Sequence, residues 1–175
     1  MMEKNKYNKS LVIIIAAIAS TGGLLFGFDT GVISGALPFL ERSWDLSTED
    51  QEWIVTALLI GAIAGAMSSG RLADIFGRKR IIIVTSFIFA IGSLMAGAAP
   101  SLGFLAFSRI VLGIAIGISS FTVPMYIAEI SPTKIRGALV SSFQLMITIG
   151  IVASYFSDQA FADETNPFSW RNSEV

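Results

Sequence analysis

Long apolar stretches without a charged residue recur along the whole of this 175-residue chain. A helix needs roughly 20 apolar residues to cross the hydrocarbon core of a bilayer, so stretches of this length indicate membrane spans. Only 14% of the residues are charged and 53% are hydrophobic, whereas soluble domains carry about a quarter charged residues. We therefore predict an all-α transmembrane protein with five spans, at about residues 10–40, 53–70, 81–99, 101–128 and 137–157.

The two ends of the chain are more polar than these spans. We expect residues 1–9 to form a cytoplasmic N-terminus and residues 158–175 to form an extracytoplasmic tail. A cleaved signal peptide also begins with a lysine and an apolar run, but this first run is too long and contains Asp29. The first span is therefore expected to remain in the protein.

Lysine and arginine are distributed unevenly between the two sides of the predicted spans. An excess of basic residues in short loops marks the cytoplasmic side of a membrane protein. This bias predicts a cytoplasmic N-terminus, in a plasma membrane or a bacterial inner membrane. The basic residues of the predicted inner side are Lys4, Lys6, Lys9, Arg71, Arg78, Lys79, Arg80, Lys134 and Arg136, and those of the outer side are Arg42 and Arg171.

The chain contains neither cysteine nor histidine. Their absence excludes thiol chemistry, imidazole proton relays and most metal sites. No nucleophile paired with a base and no cluster of metal ligands is evident, so we expect no enzyme activity, no cofactor and no metal. We also expect no nucleic-acid partner. Any proton that this chain carries must bind a carboxylate.

Two charged residues lie inside the predicted spans. Asp29 is costly within a bilayer unless it meets a partner or a water-filled cavity, and Arg109 is the one basic residue within a span. At about 1.5 Å per residue, both lie roughly 14–17 Å from the outer ends of their helices, so we expect them to pair. Asp29 would then gain and lose a proton while Arg109 stays protonated. A static buried ion pair is the alternative.

Two further side chains suit a sugar ligand. Phe26 lies three positions before Asp29 on the same helix face, within the segment GGLLFGFDTGVISG, and its ring could cover the apolar face of a sugar. An aromatic side chain in a membrane helix more often only packs. Gln144 is the one amide within spans two to five, and it offers both a donor and an acceptor to a ligand with several hydroxyls. A hydrogen bond between helices is its alternative role.

Small residues recur at four-residue spacing in two of the spans. This spacing predicts that helix backbones approach one another closely, which is common in membrane proteins. The residues are Ala57, Gly61 and Gly65 in the second span and Gly113 and Gly117 in the fourth.

The loop GRLADIFGRKR, from Gly70 to Arg80, closely resembles the motif between the second and third helices of the major facilitator superfamily. The segments GGLLFGFDTGVISGAL and PMYIAEISPTKIRGAL, the second followed by Gln144, resemble the sugar porter family within it. The resemblance extends from about Ser20 to Arg171. It implies twelve helices in two six-helix halves, each half built from inverted three-helix repeats, with a monosaccharide bound between the halves.

The resemblance also implies roles for individual residues. Asp29 and Arg109 match the proton-coupling pair of sugar symporters, and Phe26 and Gln144 match positions that contact the sugar. Four further residues match a cytoplasmic charge network that keeps the inner side closed in the outward-open state. The other charged residues nearby need no role in this network, because ordinary solvated basic loops explain them equally well. The four network residues are Asp74, Arg78, Glu129 and Arg136.

Two features depart from the family pattern. At Ile151 some proton-coupled members have an amide and several uniporters have isoleucine, so a passive sugar uniporter is the alternative to proton symport. The family continues after Trp170-Arg171 into a sixth helix, whereas this chain ends at Val175. We therefore expect five spans of a six-helix bundle, truncated before the sixth helix. Such a chain is expected to be the N-terminal part of a sugar/proton symporter with alternating access. The alternatives are a remnant without transport activity and a chain that associates with a separately encoded C-terminal half.

Overall fold

The computed structural model describes residues 9–165, so the predicted polar ends at residues 1–8 and 166–175 lie outside the described part of the chain. Within residues 9–165 the regular structure is helical, in five elements. Each helix contains a stretch that is long and apolar enough to cross a bilayer, which confirms the predicted fold class. The helices are α1 (Lys9–Trp44), α2 (Thr48–Phe76), α3 (Arg78–Gly97), α4 (Leu102–Ile130) and α5 (Arg136–Thr165).

Most of the helices run past the ends of the predicted spans. The first span was expected to end at residue 40, but α1 continues to Trp44. The predicted polar tail begins at residue 158, and α5 continues to Thr165, so residues 158–165 extend the last helix. An apolar run measures the thickness of the hydrocarbon core, whereas a helix can continue into the polar interface, where charged side chains meet water. Hydropathy alone therefore predicts these helices too short.

The two ends of α2 are fixed by local chemistry. Ser47 and Asp50 form a reciprocal capping box, in which the Asp50 backbone N–H donates to Ser47 Oγ at 3.2 Å and the Ser47 N–H donates to Asp50 Oδ2 at 3.0 Å. At the other end Gly77 has a φ of 86°, a conformation that glycine adopts without steric cost. This single residue separates α2 from α3, so the chain reverses there in a very tight turn.

The helices α2 and α4 form one closely packed pair. A Cβ atom on Gly61 would overlap the carbonyl oxygen of Ile110, and one on Gly113 would overlap that of Leu58. The two sets of small residues found in the sequence therefore face each other, which allows the two backbones to touch. The prediction of close helix packing at these positions is confirmed.

A second close pair is formed by α1 and α5. Four glycines at four-residue spacing on α1 lie against α5, and Gly150 on α5 lies against α1 at Leu24. In the N-terminal halves of the two helices, Ser20 Oγ and Ser142 Oγ share a hydrogen bond of 2.7 Å. The third helix packs mainly against α4. The four glycines of α1 are Gly23, Gly27, Gly31 and Gly35.

Candidate functional site

A buried ion pair joins α1 to α4 and thereby links the two close helix pairs. Arg109 Nη1 donates to Asp29 Oδ2 at 2.8 Å. The Arg109 side chain is 5% exposed and that of Asp29 is 13% exposed. The two charges that the sequence placed at similar depth are therefore in direct contact, which offsets part of the cost of holding each of them within a bilayer.

The guanidinium group of Arg109 is only partly satisfied by this contact. Its Nε atom is buried and has no hydrogen-bond partner in the described part of the chain. Arg109 follows the same four-residue spacing as Gly113 and Gly117, which lie against α2, but its long side chain reaches α1 instead. A buried charge that keeps a single partner is sensitive to the loss of that partner. Protonation of Asp29 would therefore leave Arg109 in need of another acceptor.

Phe26 lines a small cavity among α1, α3, α4 and α5, with a volume of about 30 Å³. Aromatic rings and hydroxyl groups both face this space, and the Ser119 hydroxyl donates to Thr85 Oγ1 at 3.1 Å across it. A cavity of this size holds about one water molecule, so its mixed lining would meet a larger ligand only if the helices around it moved apart. The side chains that contribute rings or hydroxyls are Phe26, Phe89, Phe143, Thr85, Ser86, Ser119 and Ser120.

Gln144 does not share this cavity with Phe26. Its side chain is exposed on α5, and its backbone carbonyl accepts a hydrogen bond from Thr148 Oγ1 at 3.2 Å. The preceding residue, Phe143, lines the cavity instead. Within residues 9–165 the two candidate sugar contacts therefore do not line one common cavity. Because the amide of Gln144 is accessible, it is free to meet a ligand that approaches this bundle from the side of α5.

A charge cluster lies at the end of the bundle where α2 ends and α3 begins. Arg78 Nη2 contacts Asp74 Oδ1 at 3.0 Å, and Arg78 Nε donates to Glu129 Oε1 at 3.1 Å. Arg78 Nη1 also donates to the carbonyl of Ala73 at 3.1 Å, so a cation caps the C-terminal end of α2. One arginine therefore connects three helices, since Asp74 is on α2 and Glu129 is on α4.

The structure does not bring Arg136 into this cluster. Its Nε and Nη2 atoms donate to the backbone carbonyl of Ser131 at 3.4 and 3.3 Å, which braces the turn between α4 and α5. In the part of the chain that the structure describes, Arg136 makes no ion pair with Asp74 or Glu129. Three of the four predicted network residues are therefore in contact, and the fourth binds a neighbouring backbone group.

Asp158 is a residue of interest that the sequence did not indicate. It was assigned to the polar tail, but it lies on α5 with its carboxylate against the backbone of Gly35 on α1. The ladder of four glycines on α1 indicates a close neighbour for that helix, but it does not indicate that this neighbour is the helix that carries Asp158. Over residues 9–165 the structure contains no group of three or more acidic, histidine or cysteine side chains that could hold a metal ion.

The five membrane-length helices and the buried ion pair define an integral, multi-pass membrane protein built like a helical transporter. The family model described as "Sugar (and other) transporter" matches residues 15–173. The chain therefore belongs to the sugar porter family of the major facilitator superfamily, whose members are transporters and not enzymes.

Several characterised proteins are similar to this chain. The galactose-proton symporter of Escherichia coli strain K12 is 43% identical over 168 residues, which are 96% of this chain and 36% of that protein. The glucose transporter GlcP of Staphylococcus epidermidis is 48% identical over 158 residues, which are 90% of this chain and 35% of that protein. The chain thus spans about a third of the length of the curated relatives that it matches.

The fold is also similar to solved structures of a transporter. The inward-open structure of the xylose transporter XylE from Escherichia coli matches with a TM-score of 0.80 and 30% identity, over 89% of this chain and 41% of that one. The proton:xylose symporter XylE bound to 6-bromo-6-deoxy-D-glucose matches with a TM-score of 0.79 and 31% identity, over 93% of this chain and 40% of that one.

Proposed function

We propose that this chain forms the proton-binding part of a secondary transporter that moves a monosaccharide by proton symport with alternating access. The buried contact between Asp29 and Arg109 carries this proposal, because a membrane protein rarely keeps an ionisable pair at such depth without a use for it. Relatives named as galactose-proton and arabinose-proton symporters, 43% and 41% identical, support the same substrates.

The proposed coupling depends on the protonation of one carboxylate. With Asp29 ionised, the ion pair ties α1 to α4. When Asp29 takes a proton, it becomes a neutral acid and its attraction to Arg109 weakens, while Arg109 keeps its own charge. The contact between the two helix pairs then loosens. Protonation on one side of the membrane and release on the other would give the transporter its two states.

The sugar is proposed to meet this bundle at two places. Phe26 would lie against an apolar sugar face beside the hydroxyl-lined cavity, and the exposed amide of Gln144 would exchange hydrogen bonds with sugar hydroxyls. Asp29 lies three residues after Phe26 on α1, so the proton site and this sugar contact share a helix.

The charge cluster is proposed to mark the cytoplasmic end of the bundle. It lies at the end where α1 begins and where the loops carry the basic residues, and this distribution is typical of the inner side of a membrane protein. The N-terminus would then be cytoplasmic, in a plasma membrane or a bacterial inner membrane. In this position Arg78 and its partners would hold the inner side of the bundle together in the outward-open state.

The substitution Asp29→Asn in the full-length transporter tests the proton role. We expect it to abolish sugar accumulation against a gradient, because an amide cannot carry the proton, while sugar exchange across the membrane persists. Radiolabelled sugar uptake in cells and counterflow in proteoliposomes measure the two activities. Asp45→Asn is the matched control, because Asp45 is an exposed acid with a φ of 51°, a conformation that asparagine tolerates.

The same experiment separates symport from its alternative. A passive uniporter is the second candidate, because Ile151 is the residue found in several uniporters at this position. In a uniporter, unmodified protein would exchange sugar but never accumulate it. Accumulation that is unchanged by Asp29→Asn would exclude the proposed role of this carboxylate.

A further inference from the structure

The exposed surface of α5 is divided into an apolar stripe and a polar stripe. The apolar stripe consists of Leu145, Ile149, Val152 and Phe156, and the polar stripe of Ser141, Gln144, Thr148 and Tyr155. Each residue advances about 100° around a helix, which places the two stripes about a quarter of a turn apart. Apolar side chains suit contact with lipid, whereas polar side chains within a span are expected to face protein or a water-filled cavity. The polar stripe of α5 is therefore expected to face away from lipid.

The close seam between α1 and α5 fixes how the two helices are placed relative to each other. Gly23 lies against the backbone of Phe143, and Gly27 lies against the backbone of Ile147. Residue numbers therefore rise together along the two helices, so the helices run parallel. Gly27 and Ile147 lie at the same level, and each marks the side of its helix that faces the other helix.

Phe26, Gln144 and Thr148 lie on the same side of this seam. Phe26 comes one residue before Gly27, which turns it about 100° from the seam in one sense. Thr148 comes one residue after Ile147 and Gln144 three before it, which turns them about 100° and 60° in the opposite sense. Because parallel helices face each other across the seam, opposite rotations bring the three side chains to one side. They lie within about 6 Å of one another along the helix axes, so one ligand over the seam can meet all three.

The hydroxyl group of Thr148 is available as a hydrogen-bond acceptor. Its Oγ1 atom donates its one proton to the backbone carbonyl of Gln144 at 3.2 Å, and the side chain is exposed. The oxygen keeps its lone pairs, so a ligand can bind it only by donating a hydrogen bond. The Gln144 amide can both donate and accept, and the Phe26 ring offers an apolar face. Together the three side chains match the chemistry of a monosaccharide, which has several hydroxyls and an apolar ring face.

We propose that Thr148 is a sugar-binding residue that contributes to specificity, in which Oγ1 accepts a hydrogen bond from one hydroxyl of the bound monosaccharide. Gln144 binds a neighbouring hydroxyl, and Phe26 lies against the sugar ring. This inference rests on the proposed monosaccharide transport and adds a residue to that site. Because Thr148 uses its own proton within α5, it requires a donor from the sugar. A sugar that has hydrogen or fluorine in place of this one hydroxyl is therefore bound less tightly, since neither can donate.

Equilibrium sugar binding to the purified full-length protein tests this role. The probe is whichever of D-galactose, D-glucose and D-xylose the unmodified protein binds most tightly, with analogues in which hydrogen or fluorine replaces one hydroxyl at a time. At one position both replacements should weaken binding about fivefold, as expected for the loss of one hydrogen bond. Thr148→Val, which keeps the shape of the side chain without its hydroxyl, should weaken binding of the parent sugar by the same factor. In this variant the two analogues should bind as well as the parent sugar.

Two further variants serve as controls. Thr148→Ser keeps the hydroxyl and should bind the sugar as the unmodified protein does. Thr21→Val is the matched control, because Thr21 is exposed on α1 and donates to the carbonyl of Ile18 in its own helix at 2.6 Å. Thr21 comes six residues before Gly27, which turns it to the side of the seam opposite Phe26. Its loss should leave sugar binding unchanged.

The outcomes separate sugar binding by Thr148 from a structural role and from the proposed function. Unaltered affinity for the parent sugar in Thr148→Val would overturn the inference. An equal loss for the parent sugar and every analogue would overturn it too, since it would indicate that the hydroxyl only supports the packing of the transporter. If Thr148→Val does not fold, Thr148→Ala takes its place with the same expected pattern. Failure of the unmodified protein to bind any of the three sugars would instead contradict the proposed sugar transport itself.

Discussion

The contact between Asp29 and Arg109 is asymmetric in what each residue can do. Asp29 can become neutral within the bilayer, whereas Arg109 remains charged and has a buried Nε atom without a partner among residues 9–165. Neutralising Asp29 therefore leaves the charge of Arg109 without a partner. The reverse does not occur, because Arg109 does not lose its charge. We therefore propose that the Asp29 carboxylate carries the proton, and that the structure rearranges because the Arg109 guanidinium loses its partner.

Gln144→Ala tests the second sugar contact. We expect sugar binding to weaken by about 1–2 kcal/mol, because one or two hydrogen bonds are lost and the sugar hydroxyls that made them are left unsatisfied. Equilibrium binding of the transported sugar to the purified full-length protein measures the change. Gln159→Ala is the matched control, since Gln159 is another exposed amide on α5. Unaltered sugar affinity in Gln144→Ala would show that this side chain does not bind the sugar and serves in helix packing.

The sequence predicted the ion pair but not the position of Asp158. A charge within an apolar run is conspicuous, and two such charges at equal depth have few partners other than each other. Asp158 lies among other polar residues near the end of the last span, so composition placed it in a tail. Only the position of Gly35 across the seam shows that its carboxylate lies against α1.

Glycine spacing explains why the helices form two close pairs. On α1 and α5, and again on α2 and α4, glycines allow one backbone to lie directly on the carbonyl groups of the other. The sequence shows where such contacts are possible, because the four-residue spacing is visible. It does not show which helix is the partner, because the spans are similarly apolar and the one charged pair that the sequence indicates joins α1 to α4, not the two helices of either seam.

Gly27→Ala tests the seam between α1 and α5. A Cβ atom at Gly27 would overlap the carbonyl oxygen of Ile147, so the helices must separate, and we expect a loss of about 1–3 kcal/mol in the free energy of unfolding. Thermal unfolding of the detergent-solubilised protein measures the effect. Gly22→Ala is the control on the same helix, because no atom lies within 4 Å of its added Cβ. Equal stability of the two variants would show that the backbones are not in contact.

At the scale of the whole molecule, the two helix pairs meet across a looser region than either seam within a pair. The cavity beside Phe26 lies in this region, and a groove of about 370 Å³ runs along α1, α3 and α4 next to it. The ion pair between Asp29 and Arg109 bridges the same region. Breaking a single contact can therefore change how the two pairs sit together without disturbing the glycine seams that hold each pair.

The sequence predicted this architecture through its family resemblance more than through its periodicity. Hydropathy identified five spans, and the loop from Gly70 to Arg80 identified the family. The arrangement of the spans in pairs follows from backbone contacts that leave no charge pattern in the sequence. The charge cluster shows the same limit, since spacing alone could not separate Arg78, which connects three helices, from Arg136, which braces a turn.

The coupling of sugar to proton movement is measured most directly in proteoliposomes that contain the full-length protein, with no imposed pH gradient or membrane potential. Addition of the transported sugar outside should make the outer medium more alkaline, because each sugar enters with a proton that Asp29 has bound. The pH change should be absent in Asp29→Asn, although labelled sugar still equilibrates across the membrane. Sugar uptake by the unmodified protein without any accompanying alkalinisation would contradict proton symport and leave passive uniport in its place.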